Sequence, residues 1–148
     1  CRQVDSPRNR ATLANGSLNG LIVSIPLSGI RVLDFSRIIA GPLATQHLAD
    51  LGAEVIKIEN PITGDEVRGW DSTGQPGISS FFTAFNRSKK SVAIDLKTNR
   101  GQALARNLAK HCDVLVENFR PGVMTKFGLN ESILRPENPA LIYVSISA

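Results

Sequence analysis

The 148-residue sequence has little of what marks several common classes of protein. Its apolar runs all fall far short of the roughly 20 residues that a membrane-spanning helix needs, so no segment is predicted to cross a membrane. Its two cysteines, Cys1 and Cys112, have neither metal-ligand spacing nor the density of a disulfide framework. We therefore expect a reducing, intracellular compartment, with the cytoplasm as the default, and a packed free thiol at Cys112.

Aromatic residues and clustered charges are also scarce. There are one Trp, one Tyr and six Phe, and the only adjacent basic pair is Lys89–Lys90, although the net charge is +4. Nucleic-acid-binding surfaces concentrate their cations and interleave them with aromatic rings. We therefore predict an ordinary mixed surface and no nucleic-acid partner, with a charge that suits an anionic small molecule.

The two ends of the sequence differ from its middle. Residues 1–26 lack hydrophobic periodicity and are predicted to be disordered or extraneous to the fold. Their arginines leave one alternative, a mitochondrial presequence in a eukaryotic protein. The last residues fall in an apolar run that is typical of a strand, so we expect residues 27–148 to be a fragment that is truncated at its C-terminal end.

Between these ends, strand-like and helix-like segments alternate. The predicted strands cover residues 30–35, 54–58, 91–96, 113–117 and 141–146. The predicted helices cover residues 42–51, 81–85, 99–111, 123–127 and 130–138. This alternation predicts an α/β fold, a Rossmann-like parallel sheet with flanking helices. Pro42 is expected at the first position of the first helix, which would pack through Leu43, Gln46, His47 and Leu51.

A dinucleotide site is the first hypothesis that such a sheet suggests. Glu59 ends the second strand, where an acid commonly binds a ribose hydroxyl. However, residues 36–42 after the first strand contain one glycine, whereas the dinucleotide motif needs three for close approach of the pyrophosphate. A nicotinamide or flavin dinucleotide is therefore not expected.

Metal and nucleophile motifs are missing as well. The two histidines, His47 and His111, are far apart and have no carboxylate cluster at ligand spacing. No Gly-x-Ser-x-Gly elbow is present. We expect no metal cofactor.

The segment that calls for a chemical explanation is the loop after the fourth strand. Asn118, Phe119 and Arg120 supply an amide, an aromatic face and a cation where ligands collect in open α/β sheets. Lys97 and Lys126 add cations for phosphate. Taken singly, each lysine is better explained as solvated, and the phenylalanine as a lid on the core. Their joint placement on one edge makes an anionic ligand that carries adenine an equally good explanation.

The ordered motifs of the chain resemble those of the family III CoA-transferases, the CaiB/BaiF group. The resemblance runs from about residue 27 to the end and includes Leu33-Asp34-Phe35, Ala40-Gly41-Pro42, Leu51-Gly52-Ala53-Glu54-Val55-Ile56-Lys57-Ile58-Glu59, Gly64-Asp65, Arg68-Gly69-Trp70, Phe85-Asn86-Arg87-Ser88-Lys89-Lys90-Ser91, Asp95-Leu96-Lys97, Val116-Glu117-Asn118-Phe119-Arg120-Pro121-Gly122, Gly128-Leu129 and Asn138-Pro139. It implies an enzyme that moves coenzyme A from an acyl-CoA to a free carboxylic acid. It also implies an interlocked homodimer of the full-length chain.

The resemblance implies an aspartate nucleophile with mixed-anhydride and aspartyl-CoA intermediates. That aspartate is expected beyond residue 148, so no catalytic residue is assigned and the fragment alone is expected to be inactive. The family's CoA contacts map onto Ile38, Ile39, Ala40, Asn60, Ile94, Lys97, Asn118, Phe119, Arg120, Lys126 and Phe127.

Two of these positions depart from the family pattern. Asn60 stands where a basic residue is frequent, and Ile39 replaces a polar residue of some formyl-CoA and oxalate enzymes, which argues against that specificity. Two alternatives stay open: an α-methylacyl-CoA racemase, which shares the fold, and a non-catalytic CoA- or nucleotide-binding module.

Overall fold

The computed structural model of the chain describes residues 25–70 and 79–147. Residues 1–24, residues 71–78 between the second strand and the second helix, and residue 148 lie outside the described residues. The elements in chain order are β1 (Arg31–Asp34), α1 (Ala40–Asp50), β2 (Glu54–Glu59), a 3-10 turn (Glu66–Gly69), α2 (Ser80–Asn86), β3 (Lys89–Ala93), α3 (Asn99–Ala109), β4 (Val114–Glu117), α4 (Val123–Lys126), α5 (Glu131–Leu134) and β5 (Ile142–Ser145).

The strands of the described residues form one parallel sheet in the order β3-β2-β1-β4-β5. Val32 of β1 is in register with Val55 of β2 on one side and with Val114 of β4 on the other. Strand order therefore reverses between β1 and β4, which is the point where open α/β sheets bind ligands. The predicted α/β fold is confirmed.

Both faces of the sheet are covered, as the apolar strands require. Val32 faces a cluster with Val55 and Val116, against which α1 packs through Leu48 and Ala49. Leu33, the next residue, points to the opposite cluster and meets α3 there. The side of α3 that is buried consists of small residues, Gly101, Ala105 and Ala109, so this helix lies close to the sheet.

The predicted packing face of α1 is confirmed at Gln46 and wrong at Leu43, His47 and Leu51. Leu43 and Leu51 are 36% and 46% exposed, whereas the buried residues of the helix are Gly41, Pro42, Thr45 and Gln46. Gly41 explains the orientation, because a Cβ atom there would lie 2.2 Å from the Cβ of Ser36. The glycine lets the first turn of α1 touch the loop after β1, and the residues on its side of the helix are buried with it.

Several boundaries also differ from the prediction, among them those of α1 and β3. The helix begins at Ala40, so Pro42 is its third residue and not its first. β3 begins at Lys89 and ends at Ala93, before Ile94 and Leu96. The prediction placed this strand too late because it followed the apolar residues. β3 is an edge strand whose own residues are mostly exposed, while Ile94 is buried just beyond it.

Candidate ligand-binding cleft

A cleft of about 170 Å³ opens at the carboxyl end of the sheet. It is bounded by the residues that follow β1, β2 and β3, together with two phenylalanines that follow β4. Its lining consists of Phe35, Arg37, Lys57, Ile58, Glu59, Asn60, Gly64, Asp65, Ile94, Asp95, Leu96, Lys97, Phe119 and Phe127. The lining thus combines six apolar side chains with six charged ones.

The apolar part of the cleft is rigidly packed. Phe35, Ile58 and Ile94 belong to the core cluster and are at most 5% exposed. Phe119 and Phe127 pack against the same cluster and meet edge to face, with their ring centroids 6.2 Å apart. One wall of the cleft is therefore aromatic and fixed by the core.

Arg37 is a site residue that the family motifs did not reveal. Its guanidinium lies over the Phe119 ring, 4.8 Å from the centroid, and one of its terminal nitrogens donates to Glu66 at 2.9 Å. Its buried Nε atom has no hydrogen-bond partner among the described residues. One face of the Phe119 ring, expected to be free for stacking, is thus covered by a cation. The position of Arg37 in the sequence could have identified it, because the residue follows β1, next to the point where strand order reverses.

Glu59 is fully engaged within the protein. Its Oε1 accepts hydrogen bonds from Ser91 and Arg68, and its Oε2 accepts from the Asp65 N–H and again from Arg68. Burial by itself would raise the pKa of this carboxyl group, but the hydrogen bonds from Arg68 and Ser91 outweigh it and lower the pKa to about 2. Both oxygens are occupied, so Glu59 lacks the free oxygen that a ribose-binding acid needs.

Four charged side chains are buried between the cleft and the start of α1. Lys57 pairs with Asp65 at 2.8 Å and Lys89 with Asp34 at 3.1 Å, and all four side chains are at most 2% exposed. Lys89 also donates to the Pro42 carbonyl and to Asn86. Burial lowers the pKa of the Lys89 ammonium to about 8, although the Asp34 carboxylate opposes the shift. Pairing and hydrogen bonding satisfy charges that would otherwise be very costly to bury.

This network supports the loop between β1 and α1. Asp34 accepts from the Ser36 N–H and hydroxyl and from the Thr45 hydroxyl. Ile38 has φ = 70°, a left-handed conformation that is unfavourable for a β-branched residue and costs about 1–3 kcal/mol. α1 then begins without a side-chain cap at Ile39 and without an acidic residue in its first turn.

The structure brings five of the eleven predicted contacts together in the cleft: Asn60, Ile94, Lys97, Phe119 and Phe127. Asn118 does not line it. Its amide instead accepts from the Arg37 N–H and donates to the Arg37 carbonyl, both at 2.8 Å, and so ties the loop after β4 to the loop after β1. Ile38, Ile39 and Ala40 lie at the start of α1, outside the lining.

The two remaining predicted contacts lie elsewhere on the same edge. Lys126 is exposed at the end of α4 and does not line the cleft. Arg120 lines a second hollow, of about 430 Å³, beside β4 and β5, together with Glu117, Asn130 and Tyr143. Burial raises the pKa of the Tyr143 phenol, and the nearby Glu117 adds to the shift.

The described residues also lack two features that would point to other functions. No group of three or more His, Cys, Asp or Glu side chains with metal-binding geometry occurs in residues 25–70 and 79–147. In the same residues, none of the helices is long and apolar enough to cross a membrane.

Comparison with known proteins gives a consistent result. The family model described as CoA-transferase family III matches residues 27–148. The chain is 47% identical to the succinate–glutarate CoA-transferase of Agrobacterium fabrum over 128 residues, which cover 82% of the chain and 32% of that protein. It is 45% identical to the mouse succinyl-CoA:glutarate CoA-transferase over 122 residues, 82% of the chain and 28% of that protein.

Solved structures agree with these sequences. The Rv3272 protein of Mycobacterium tuberculosis is 49% identical with a TM-score of 0.78, over 83% of this chain and 34% of that one. A CaiB/BaiF family protein from Brucella suis is 42% identical with a TM-score of 0.76, over 81% of this chain and 32% of that one. The chain therefore spans about a third of the length of the relatives that it matches.

Proposed function

The chain belongs to CoA-transferase family III, and from this membership we propose that the full-length protein transfers coenzyme A from an acyl-CoA donor to a free carboxylic acid. Coenzyme A is a substrate in this reaction and not a resident cofactor. The observation that carries the proposal is the cleft at the carboxyl end of β1, β2 and β3, which unites five of the eleven CoA contacts implied by the family motifs.

The chemistry of the cleft suits the nucleotide end of coenzyme A. Its aromatic and aliphatic walls match an adenine ring, and Arg37 and Lys97 supply positive charge for phosphate. Two of the three acids that line it, Glu59 and Asp65, are buried and paired with Arg68 and Lys57, so they do not repel an anion as free carboxylates would. The third, Asp95, is half-buried and accepts from the Lys97 N–H.

We further propose the family's covalent route for the acyl exchange. An aspartate carboxylate attacks the thioester carbonyl, and the CoA thiolate leaves as a mixed anhydride forms. The thiolate then attacks the aspartyl carbonyl, which gives an aspartyl-CoA thioester and releases the donor acid. The acceptor acid repeats these steps in reverse. The nucleophile is expected outside this chain, because none of its acidic residues matches the family's catalytic position.

The test is a transfer assay on the full-length protein. Since the relatives from Agrobacterium fabrum and mouse are named for succinate and glutarate, succinyl-CoA is the first donor and glutarate the first acceptor, followed by other mono- and dicarboxylic acids. We expect a new CoA ester by chromatography and an enzyme-bound adduct that hydroxylamine traps during turnover. Absence of transfer with every acid, together with absence of CoA binding, contradicts the proposal.

Two other outcomes identify the alternatives. CoA binding without transfer indicates a binding module. Exchange of the α-proton of a 2-methylacyl-CoA with solvent deuterium, again without transfer, indicates a racemase.

Three further expectations belong to the same proposal. We propose that the full-length protein is a homodimer, that it acts in the cytoplasm, and that residues 27–148 form the N-terminal part of its CoA-binding domain. Light scattering, cell fractionation and limited proteolysis test them in turn.

A further inference from the structure

The loop between β1 and α1 contains a backbone conformation that is energetically unfavourable on its own. Ile38 has φ = 70°, and a β-branched side chain disfavours this left-handed region strongly. Such a residue keeps its conformation only when the surrounding structure imposes it. Ile38 is followed directly by Ile39 and Ala40, where α1 begins, so its dihedral angles set the direction of that helix start.

Side chains from three separate parts of the chain hold this loop through its backbone. Lys57 Nζ donates to the Ser36 carbonyl at 2.8 Å. The Asn118 amide holds both backbone groups of Arg37. The Ile38 N–H itself donates to Oδ1 of Asp65 at 3.1 Å. Of these contacts, only the one from Asp65 is made to the strained residue.

Asp65 is well fixed for such a role. Its side chain is fully buried, and its Oδ2 lies 2.8 Å from Lys57 Nζ. Its Oδ1 also accepts from the Val67 N–H and so caps the 3-10 turn Glu66–Gly69, while its own N–H donates to Glu59. The carboxylate is therefore held from several directions without any help from a ligand.

We propose that Asp65 is a positioning residue for binding of the acyl-CoA: its carboxylate imposes the left-handed backbone of Ile38 and so fixes residues 38–40, which the family motifs place along coenzyme A. This inference rests on the proposed function. Asp65 contacts the loop and lines the cleft proposed for the nucleotide, so its removal weakens binding of the CoA ester more than it slows the chemical step.

The test compares two nearly isosteric replacements in the full-length protein. Both are made together with Lys57→Met, so that no unpaired charge is left buried. Asp65→Asn keeps an oxygen that accepts from the Ile38 N–H, whereas Asp65→Leu does not. We expect the dissociation constant for the CoA ester to be at least tenfold higher with leucine than with asparagine, whereas kcat at saturating CoA ester differs by less than threefold.

A rescue separates positioning from general damage. Glycine adopts φ = 70° without a steric cost, so with Ile38→Gly added to both variants the ratio of the two dissociation constants falls to threefold or less. A leucine-to-asparagine ratio near one before the rescue, or an unchanged tenfold ratio after it, overturns the inference. If the leucine variant does not fold, Asp65→Ser replaces it, because serine is also a favoured N-cap for the 3-10 turn but its side chain is shorter.

The wild-type protein is assayed first. If it neither binds nor transfers coenzyme A, the proposed function fails before any variant is compared. If it does both and the two variants bind equally well, only the role of Asp65 fails.

Discussion

The two halves of the sheet's carboxyl edge are built differently. Around β1 and β2, Asp34, Lys57 and Asp65 are buried and bonded to one another or to the loop before α1. Around β4 and β5, Arg120 is exposed and the buried Oδ1 of Asn130 has no hydrogen-bond partner among the described residues.

This difference indicates which half of the edge is preorganised to bind a ligand. Groups that are already fixed lose little freedom when a ligand binds, so the half around β1 and β2 suits tight and specific binding. The half around β4 and β5 has local hydrogen bonds, such as the one that Glu117 accepts from the Phe119 N–H, but no buried ion pair among the described residues. We therefore propose that the first half holds the nucleotide part of coenzyme A, and that chemistry at the thioester depends on residues outside this chain.

The largest loss of stability is expected when the Asp34 side chain is removed. The change Asp34→Ala leaves Lys89 buried without its charged partner and removes the acceptor of Ser36 and Thr45. We expect the free energy of unfolding, measured by urea denaturation, to fall by about 3–5 kcal/mol. Asp50→Ala, which breaks only the exposed pair with Arg87, is the matched control and should cost at most about 1 kcal/mol. Equal losses would mean that the network is no more important than the surface.

A second comparison uses one glycine from each half. An alanine at Gly41 places its Cβ 2.2 Å from the Cβ of Ser36, so Gly41→Ala forces α1 away from the loop and should cost up to about 3 kcal/mol. Gly122 has φ = 84° but open space around its Cβ position, so Gly122→Ala should cost about 1 kcal/mol from backbone strain alone. Thermal unfolding measures both, and a larger loss at Gly122 would contradict the close packing of the first half.

The third comparison concerns affinity. Arg37 is held at the cleft by Phe119 and Glu66, so Arg37→Ala should raise the dissociation constant for CoA about tenfold. Arg37→Lys keeps the charge but loses the planar stacking, and it should recover only part of the affinity. Lys110→Ala, on an exposed residue paired with Glu137, should leave the affinity unchanged. Titration calorimetry of the full-length protein measures these dissociation constants. Equal effects of Arg37→Ala and Lys110→Ala would show that Arg37 does not contribute to CoA binding.

The last comparison concerns the loss of stability in acid. The pKa of Glu59 in the folded protein is about 2, below its ordinary value of 4.5. Between these values the unfolded state binds more protons, so the stability that ionised Glu59 contributes is complete above about pH 4.5 and is lost as the pH falls to about 2. The difference in urea midpoint between wild type and Glu59→Gln should therefore shrink over that range. Glu131→Gln, at an exposed site, serves as the control. A difference for Glu59→Gln that stays constant with pH would contradict the bonding described for Glu59.

The sequence predicted the parallel α/β sheet because its strands are short apolar runs separated by helical segments. It did not predict which side of α1 is buried. Thr45 is buried because its hydroxyl reaches Asp34 on a neighbouring element, and Leu43 is exposed because Gly41 turns the helix the other way. Both contacts are made to residues outside the helix, Asp34 at the end of β1 and Ser36 in the loop that follows, so periodicity within one helix does not encode them.

The candidate site shows the same limit. Family motifs identified Lys97 and Phe119 as contacts, and both line the cleft. They did not identify Arg37. They also did not indicate that the side-chain amide of Asn118 is hydrogen-bonded to the backbone of Arg37. Whether a polar side chain faces a ligand or another loop is decided by tertiary contacts, which a motif does not encode.

The most direct test of the account is hydrogen exchange of the full-length protein with and without adenosine 3′,5′-bisphosphate, the nucleotide part of coenzyme A. We predict that the nucleotide protects residues 35–41, 58–60 and 94–97 and leaves residues 130–135 and 143–147 unchanged. Protection confined to residues 120–132 and 143–147 would place the nucleotide in the half around β4 and β5 and contradict the account.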